Sequence, residues 1–199
     1  IQVKRVAVKQ KDKPRDVTLE KGVLTDDPDL VLDDPAIHVI VELVGGLKPT
    51  REMVLKAIRS GKHVVTANKA LLAAHGKELF DEARKKGVTI EFEGSVGGGI
   101  PVIRSIREGL VANRIQKIFG IINGTSNYIL TEMTDGGSTF AAALKGAQAK
   151  GYAEADPTLD VGGGDAAHKL AVLAACAWGV PCDPAIRRVR SKLPLGDPF

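Results

Sequence analysis

Residues 37–46 read IHVIVELVGG, residues 63–69 read HVVTANK, and residues 88–99 read VTIEFEGSVGGG. Each opens with a short run rich in β-branched and other apolar residues and closes in glycine or small polar residues. A nearly all-apolar run such as residues 37–44 is the pattern of a strand buried on both faces of a parallel sheet. Between the runs lie helical patterns. Pro49 and Thr50 open one that continues to Arg59 and stops at Ser60-Gly61, and a second covers residues 75–86 and stops at Gly87. Strands at 37–44, 63–67 and 88–93 therefore alternate with helices across short links, the signature of right-handed βαβ units. Toward the N-terminus, residues 3–8 (VKRVAV) alternate and read as one more strand, followed by a charged loop at 9–16.

Toward the C-terminus the pattern changes. A glycine cluster (Gly94, Gly97, Gly98, Gly99) precedes a helix over 101–110, with proline at a tolerated early position. Residues 115–122 read as an apolar strand. Asn123-Gly124-Thr125 leads into a helix ending near Met133, and 140–150 forms another, stopped by Gly151. Residues 152–164 (YAEADPTLDVGGG) form an acidic loop, and Asp165 begins an apolar helix that runs to Trp178. The chain is expected to be α/β: a partial Rossmann-type parallel sheet over 1–92, then an α+β substrate and dimerisation domain over 93–180. Residues 181–199 are expected to be an irregular tail.

Composition narrows the function classes. The 199 residues are 44% hydrophobic and 26% charged, the balance of a globular protein able to bury a core. The net charge of +4 is spread among interleaved acids, and aromatics are 4%. Nucleic-acid binding would need a concentrated basic stripe with stacking aromatics. No apolar run approaches the ~20 residues that span a bilayer, and no signal peptide is visible. Two cysteines, Cys176 and Cys182, make neither a disulfide framework nor a metal cluster, so a cytoplasmic setting is expected. The chain opens on Ile1 within an apolar-rich segment, which reads as a truncated start.

Three constellations can carry chemistry. Glu154, Asp156, Asp160 and Asp165 crowd four carboxylates into twelve positions, and Lys169 follows Asp165 by four, on the same helix face. A capping aspartate with a surface ion pair accounts for this spacing. Against that stands the apolar character of the rest of the helix, which puts Lys169 beside a buried surface where a lysine can give or take a proton. Lys69 follows a strand directly, where ligands of doubly wound sheets lie. Glu93 to Ile100 again occupies a strand end, and its glycines permit close backbone approach to an anion or a hard cation.

TANK (66–69), EGSVGGGIPVI (93–103), GIINGTSNYIL (120–130) and GYAEADPTLDVGGGDAAHK (151–169) together resemble the homoserine dehydrogenase family. The last, together with Ala147 just before it, matches the family signature at Gly151, Asp156-Pro157, Asp160, Gly163, Asp165 and Lys169, and the likeness covers about residues 1 to 180. The resemblance implies NAD(P)-dependent interconversion of L-homoserine and L-aspartate 4-semialdehyde, on the way to threonine, methionine and isoleucine. It implies that Lys169 passes a proton to or from the substrate oxygen, that Lys69 assists near the nicotinamide, and that Asp165 serves the same centre. Glu154, Asp160 and Asp165 would bind substrate, with Glu154 and Asp165 holding its amino end. Gly45 and Gly46 would flank the cofactor. A monovalent cation, sodium, would sit at Glu93, Val96, Gly98 and Ile100, largely on backbone carbonyls. A homodimer or homotetramer is implied.

The family also opens with a strand and a G-x-G-x-x-G phosphate loop, which this sequence does not contain. The resemblance thus predicts a chain lacking that first segment and the family's C-terminal part. At the end of the strand 3–8, Lys9, Lys11 and Lys13 lean toward NADP rather than NAD, because a basic residue there suits the 2′-phosphate. Two rival readings remain: a non-catalytic relative acting as a binding or dimerisation module, and another semialdehyde or sugar-type dehydrogenase. The second is disfavoured because those enzymes place Cys or His where this chain has Lys169, and Cys176 lies within an apolar helical run.

Overall fold

The computed structural model describes residues 1–180 and residue 182. The tail expected at 181–199 lies, apart from Cys182, outside the described residues. The chain forms two compact units, Ile1–Leu71 with His75–Phe92, and Leu72–Ala74 with Glu93 onward.

The first unit is built on parallel strands. Strands β1 (Val6–Ala7) and β2 (Leu24–Thr25) pair with each other. Strands β3 (Val39–Glu42), β4 (His63–Thr66) and β5 (Ile90–Glu91) form a three-stranded sheet in that order, with Val39 opposite His63 and Val64 opposite Ile90. A short helix α1 (Asp29–Leu32) precedes β3. Helix α2 (Thr50–Arg59) links β3 to β4, and α3 (Lys69–Lys86) links β4 to β5. These are the expected βαβ units. The strand pairs β1–β2 and β3–β4–β5 share no ladder, so the expected sheet is present as two parallel pieces.

Helix α2 buries Val54, Leu55, Ala57 and Ile58, the i, i+1, i+3, i+4 set that lines one helix face. Leu71, Leu79 and Ala83 of α3 and Val64 and Ile90 of the strands are likewise buried, and Phe80 meets Phe92 edge to face at 5.4 Å. The expected burial of residues 37–44 on both faces is not found. Ile40 and Glu42 point into the core, while Val39, Val41, Leu43 and Val44 are exposed. Helix α3 also starts six residues earlier than its pattern predicts. The Asn68 side chain accepts the Leu71 N–H and caps it there, and Gly76, which weakens a helix by about 1 kcal/mol relative to alanine, sits inside it.

The second unit is helical. After a 3-10 turn (Glu93–Ser95) come α4 (Val102–Arg104) and a wider π-type turn (Ser105–Gly109), in which the Leu110 N–H reaches the Ser105 carbonyl at 2.8 Å. The helix expected at 101–110 is thus a short α-helical turn that widens into an underwound π-type turn. Helices α5 (Gly124–Thr134), α6 (Phe140–Ala149), α7 (Thr158–Val161) and α8 (Gly164–Trp178) follow. Ile129 of α5 is fully buried against Ala143 and Ala147 of α6, whose i, i+4 small side chains let the two helices approach closely. The apolar run 115–122 is not a strand. A strand is defined by ladder bonds to a neighbour, and no strand occurs in this unit among the described residues. No helix among them is long and apolar enough to cross a membrane.

Candidate active site

In the second unit, the acidic loop and the α8 start fold onto the N-terminus of α5. The Asn123 side chain caps α5 by accepting the Ser126 N–H at 2.7 Å. The same amide donates from Nδ2 to Asp160 Oδ1 at 2.8 Å and to Asp165 Oδ2 at 2.9 Å. Asn123 is 8% exposed and Asp165 8%. Lys169 Nζ lies 2.8 Å from Asp165 Oδ2 and donates to the Ile122 carbonyl at 2.7 Å. Thr125 Oγ1 donates to the Tyr152 carbonyl at 2.5 Å and lies 3.3 Å from Asp160 Oδ2, and Ser126 Oγ donates to the Asp160 carbonyl.

Asp160, Asp165 and Lys169, distant in sequence from Asn123, are thus one cluster. Asp165 meets the Lys169 ammonium and Asn123 ties Asp160 to Asp165, so the cluster holds two carboxylates and one ammonium, a formal charge of −1. A buried ion pair persists only where hydrogen bonds satisfy the remaining lone pairs, and Asn123 supplies those bonds. Asp165 does not cap α8; Gly163 occupies that position with no side-chain cap, and the Asp165 carboxylate turns to Lys169 instead. Lys169 places two of its three N–H donors on protein acceptors, and the third can meet a ligand oxygen. A cluster of this kind favours a small ligand that has both an ammonium and a polarisable oxygen.

The other expected residues fall elsewhere. The Glu154 side chain is exposed and outside the cluster; its carbonyl accepts a bond from Gln148 Nε2 at 3.2 Å. Asp156 turns back on Thr158, whose hydroxyl and N–H both bond its Oδ1 and draw its pKa down. Glu93 spends both carboxylate oxygens on the N–H groups of Ile103 and Arg104, each at 2.9 Å, and so caps α4. In the adjoining turn the Ile100 N–H bonds the Gly97 carbonyl at 2.7 Å, and the Ile100 carbonyl accepts Val102 N–H. Val96 is buried, and Gly98 and Ile100 are at or near the surface. The turn offers carbonyl oxygens, the donors a hard monovalent cation takes. Among the described residues no cluster of His, Cys, Asp or Glu is placed to hold a metal. A cleft of about 800 Å³ in this unit is lined by residues 111–116, Ala177 and Trp178, with no carboxylate.

In the first unit, Gly45 and Gly46 follow β3 with φ of +74° and +67°, a left-handed pair open only to glycine at low cost. The space where a side chain would stand on either is empty. Asn68 Nδ2 donates to the Gly46 carbonyl at 2.7 Å, which sets Lys69, the first residue of α3, beside this turn. Both lie at the carboxyl edge of β3–β4–β5, where doubly wound sheets bind nucleotides. Lys9 is exposed in the loop after β1. Arg15, missed in the sequence, gathers the carbonyls of Gln10, Lys11 and Lys13 at 2.6–2.9 Å and so folds that loop. Asn123 and Thr125 were also missed as site residues, although both lie in the NGT segment quoted above; an asparagine before a helix reads as a cap and nothing more.

Two family models match this chain: "Homoserine dehydrogenase, NAD binding domain" over residues 1–93 and "Homoserine dehydrogenase" over residues 101–191. The homoserine dehydrogenase of Pseudomonas aeruginosa is 60% identical over 166 residues, covering 82% of this chain and 38% of the relative. The crystal structure of a homoserine dehydrogenase from Thiobacillus denitrificans superposes with a TM-score of 0.86 at 55% identity, covering 92% of this chain and 42% of that one. A hyperthermophilic archaeal homoserine dehydrogenase in complex with NADPH gives 0.72 at 31% identity, over 78% and 48%. The chain therefore spans about two fifths of the length of the curated relatives it matches.

Proposed function

The chain belongs to the homoserine dehydrogenase family, and on that premise we propose that it carries the machinery for NAD(P)-linked interconversion of L-homoserine and L-aspartate 4-semialdehyde in the cytoplasm. The observation that carries this reading is the Asn123–Asp160–Asp165–Lys169 cluster, which pairs an ammonium-binding acidic face with a lysine whose third donor is available to a ligand oxygen. A bound nicotinamide supplies or receives the hydride at the substrate carbon.

The chain's own residues do the rest. As negative charge grows on the aldehyde oxygen, the Lys169 ammonium stabilises it and delivers a proton; in the reverse direction Lys169 takes the hydroxyl proton. Asp165 holds Lys169 in place, and Asp160 with Asp165 receives the substrate ammonium. Glu154, exposed at the mouth of the acidic loop, adds a further carboxylate for that ammonium. The Gly45–Gly46 turn lets a dinucleotide approach the backbone, and Lys69 stands at the same edge to assist the reacting group. Lys9 in its Arg15-folded loop favours NADP over NAD. A sodium ion fits the carbonyls of the turn from Glu93 to Ile100, and a homodimer or homotetramer is the expected assembly.

The test is homoserine-dependent NADP⁺ reduction by the purified chain beside a Lys169→Ala control. Activity abolished in the control supports the reading. A folded wild-type chain with no turnover favours the binding-module alternative.

A further inference from the structure

The carboxyl ends of β3 and β4 are joined by a chain of buried polar groups to which the proposed reaction assigns no part. Glu42 ends β3 with its side chain in the core, 5% exposed. Its Oε1 accepts the Gly45 N–H at 2.8 Å, and its Oε2 accepts the Thr66 hydroxyl at 2.5 Å. Thr66 Oγ1 accepts the Asn68 N–H at 3.0 Å. Asn68 bonds the Gly46 carbonyl through Nδ2 and caps α3 through Oδ1. Thr50, fully buried at the start of α2, donates to the Gly45 carbonyl at 2.6 Å. The ring closes: the turn after β3, the end of β4 and the first residues of α2 and α3 are held by side chains to one another.

We propose that Glu42 is a positioning residue that fixes the Gly45–Gly46 turn and the Asn68–Lys69 helix start as a single surface for the nicotinamide cofactor. The inference rests on the reading that the cofactor lies at this edge. Two left-handed glycines in succession have little preference of their own for one turn geometry, so the turn must be held from outside. Glu42 holds Gly45 by its N–H and Thr50 holds it by its carbonyl. Both partners of Glu42 are donors, and a carboxylate is the side chain with two acceptor oxygens. An amide of the same shape turns an NH₂ toward one of them. Packing alone does not account for an acid here, because a buried carboxylate is unfavourable unless its bonds are met.

The test compares NADPH binding, read by nucleotide fluorescence, for the wild-type chain and for Glu42→Gln, Glu42→Asp and Thr66→Val. Urea midpoints and amide exchange at Gly45 and Asn68 are measured on the same ligand-free samples. Glu42→Gln is expected to raise the NADPH Kd about tenfold, the effect of one buried donor left unmet. It should also speed exchange at Gly45. Glu42→Asp should recover part of the affinity, and Thr66→Val should weaken binding in the same direction. A lower urea midpoint with unchanged Kd makes Glu42 a purely structural residue and overturns the inference, leaving the cofactor reading intact. Should Glu42→Gln fail to fold, Thr66→Val decides on the same criterion. A wild-type chain that takes up no NADPH overturns the cofactor reading and this inference with it.

Discussion

Asn123 makes three hydrogen bonds through one side chain, to Ser126, Asp160 and Asp165. Replacing it by alanine removes a helix cap and strips two neighbouring carboxylates of their shared donor. The expected loss of stability is about 2 kcal/mol, read as a shift in the urea midpoint; under the proposed reaction the folded variant is also expected to show a higher KM for homoserine. Asn123→Asp should be worse than alanine, since it sets a third carboxylate between two; equal effects would count against the electrostatic account. Cys176 makes a second case. Burial pushes its thiol up to about 11, opposed by the charge of Arg107 and aided by that of Glu93. A pKa raised on folding stabilises the native state below the unfolded value of 9.0, and that contribution is lost as pH rises toward about 11. Stability should therefore fall between these pH values, and Cys176→Ala should fall less steeply. Alkylation of Cys176 at neutral pH should be slow. The acids and Lys169 were legible as a pattern in the sequence. Which of them would meet was not: Asp160 and Asp165 come together, whereas Glu154 stays outside.

At the scale of elements, the contact of α5 with α6 depends on Ala143 and Ala147 being small. Ala147→Leu forces the helices apart and should destabilise by about 1–3 kcal/mol, while Ala149→Leu, on the same helix but not in the core cluster, should change little. Thermal melts of the two variants check this. Helix boundaries were readable wherever a local stop signal exists, as at Gly87 and Gly151, because capping acts within a few residues. The start of α3 was missed because Gly76 obscures the pattern, and although the Asn68 cap on Leu71 is local, its bond to the Gly46 carbonyl forms only once β3 and β4 are side by side. Residues 115–122 have strand composition, yet composition confers no ladder; a strand exists only with a neighbour to bond.

Over the whole chain, apolar side chains stand on the surface of each unit. Val39, Val41, Leu43 and Val44 do so in the first, and Phe119 and Ile121, 87% and 78% exposed, in the second. Exposed apolar groups gathered in this way promote association. The purified chain is expected to associate with rising concentration in sedimentation runs and to bind a hydrophobic dye. Paired Phe119→Lys and Ile121→Lys substitutions should reduce both, and a monomer at all concentrations with no dye uptake would refute the expectation. The sequence by itself determined the α/β alternation, the family and the identity of the charged groups, because these are written in periods of two to four residues and in contiguous motifs. Only the tertiary structure decided that Asn123 bridges two acids 37 and 42 positions away, that Lys169 meets a carbonyl 47 positions away, and that Glu42 faces inward. Hydrogen bonds across such separations depend on how helices and strands pack, and local sequence patterns do not encode that geometry.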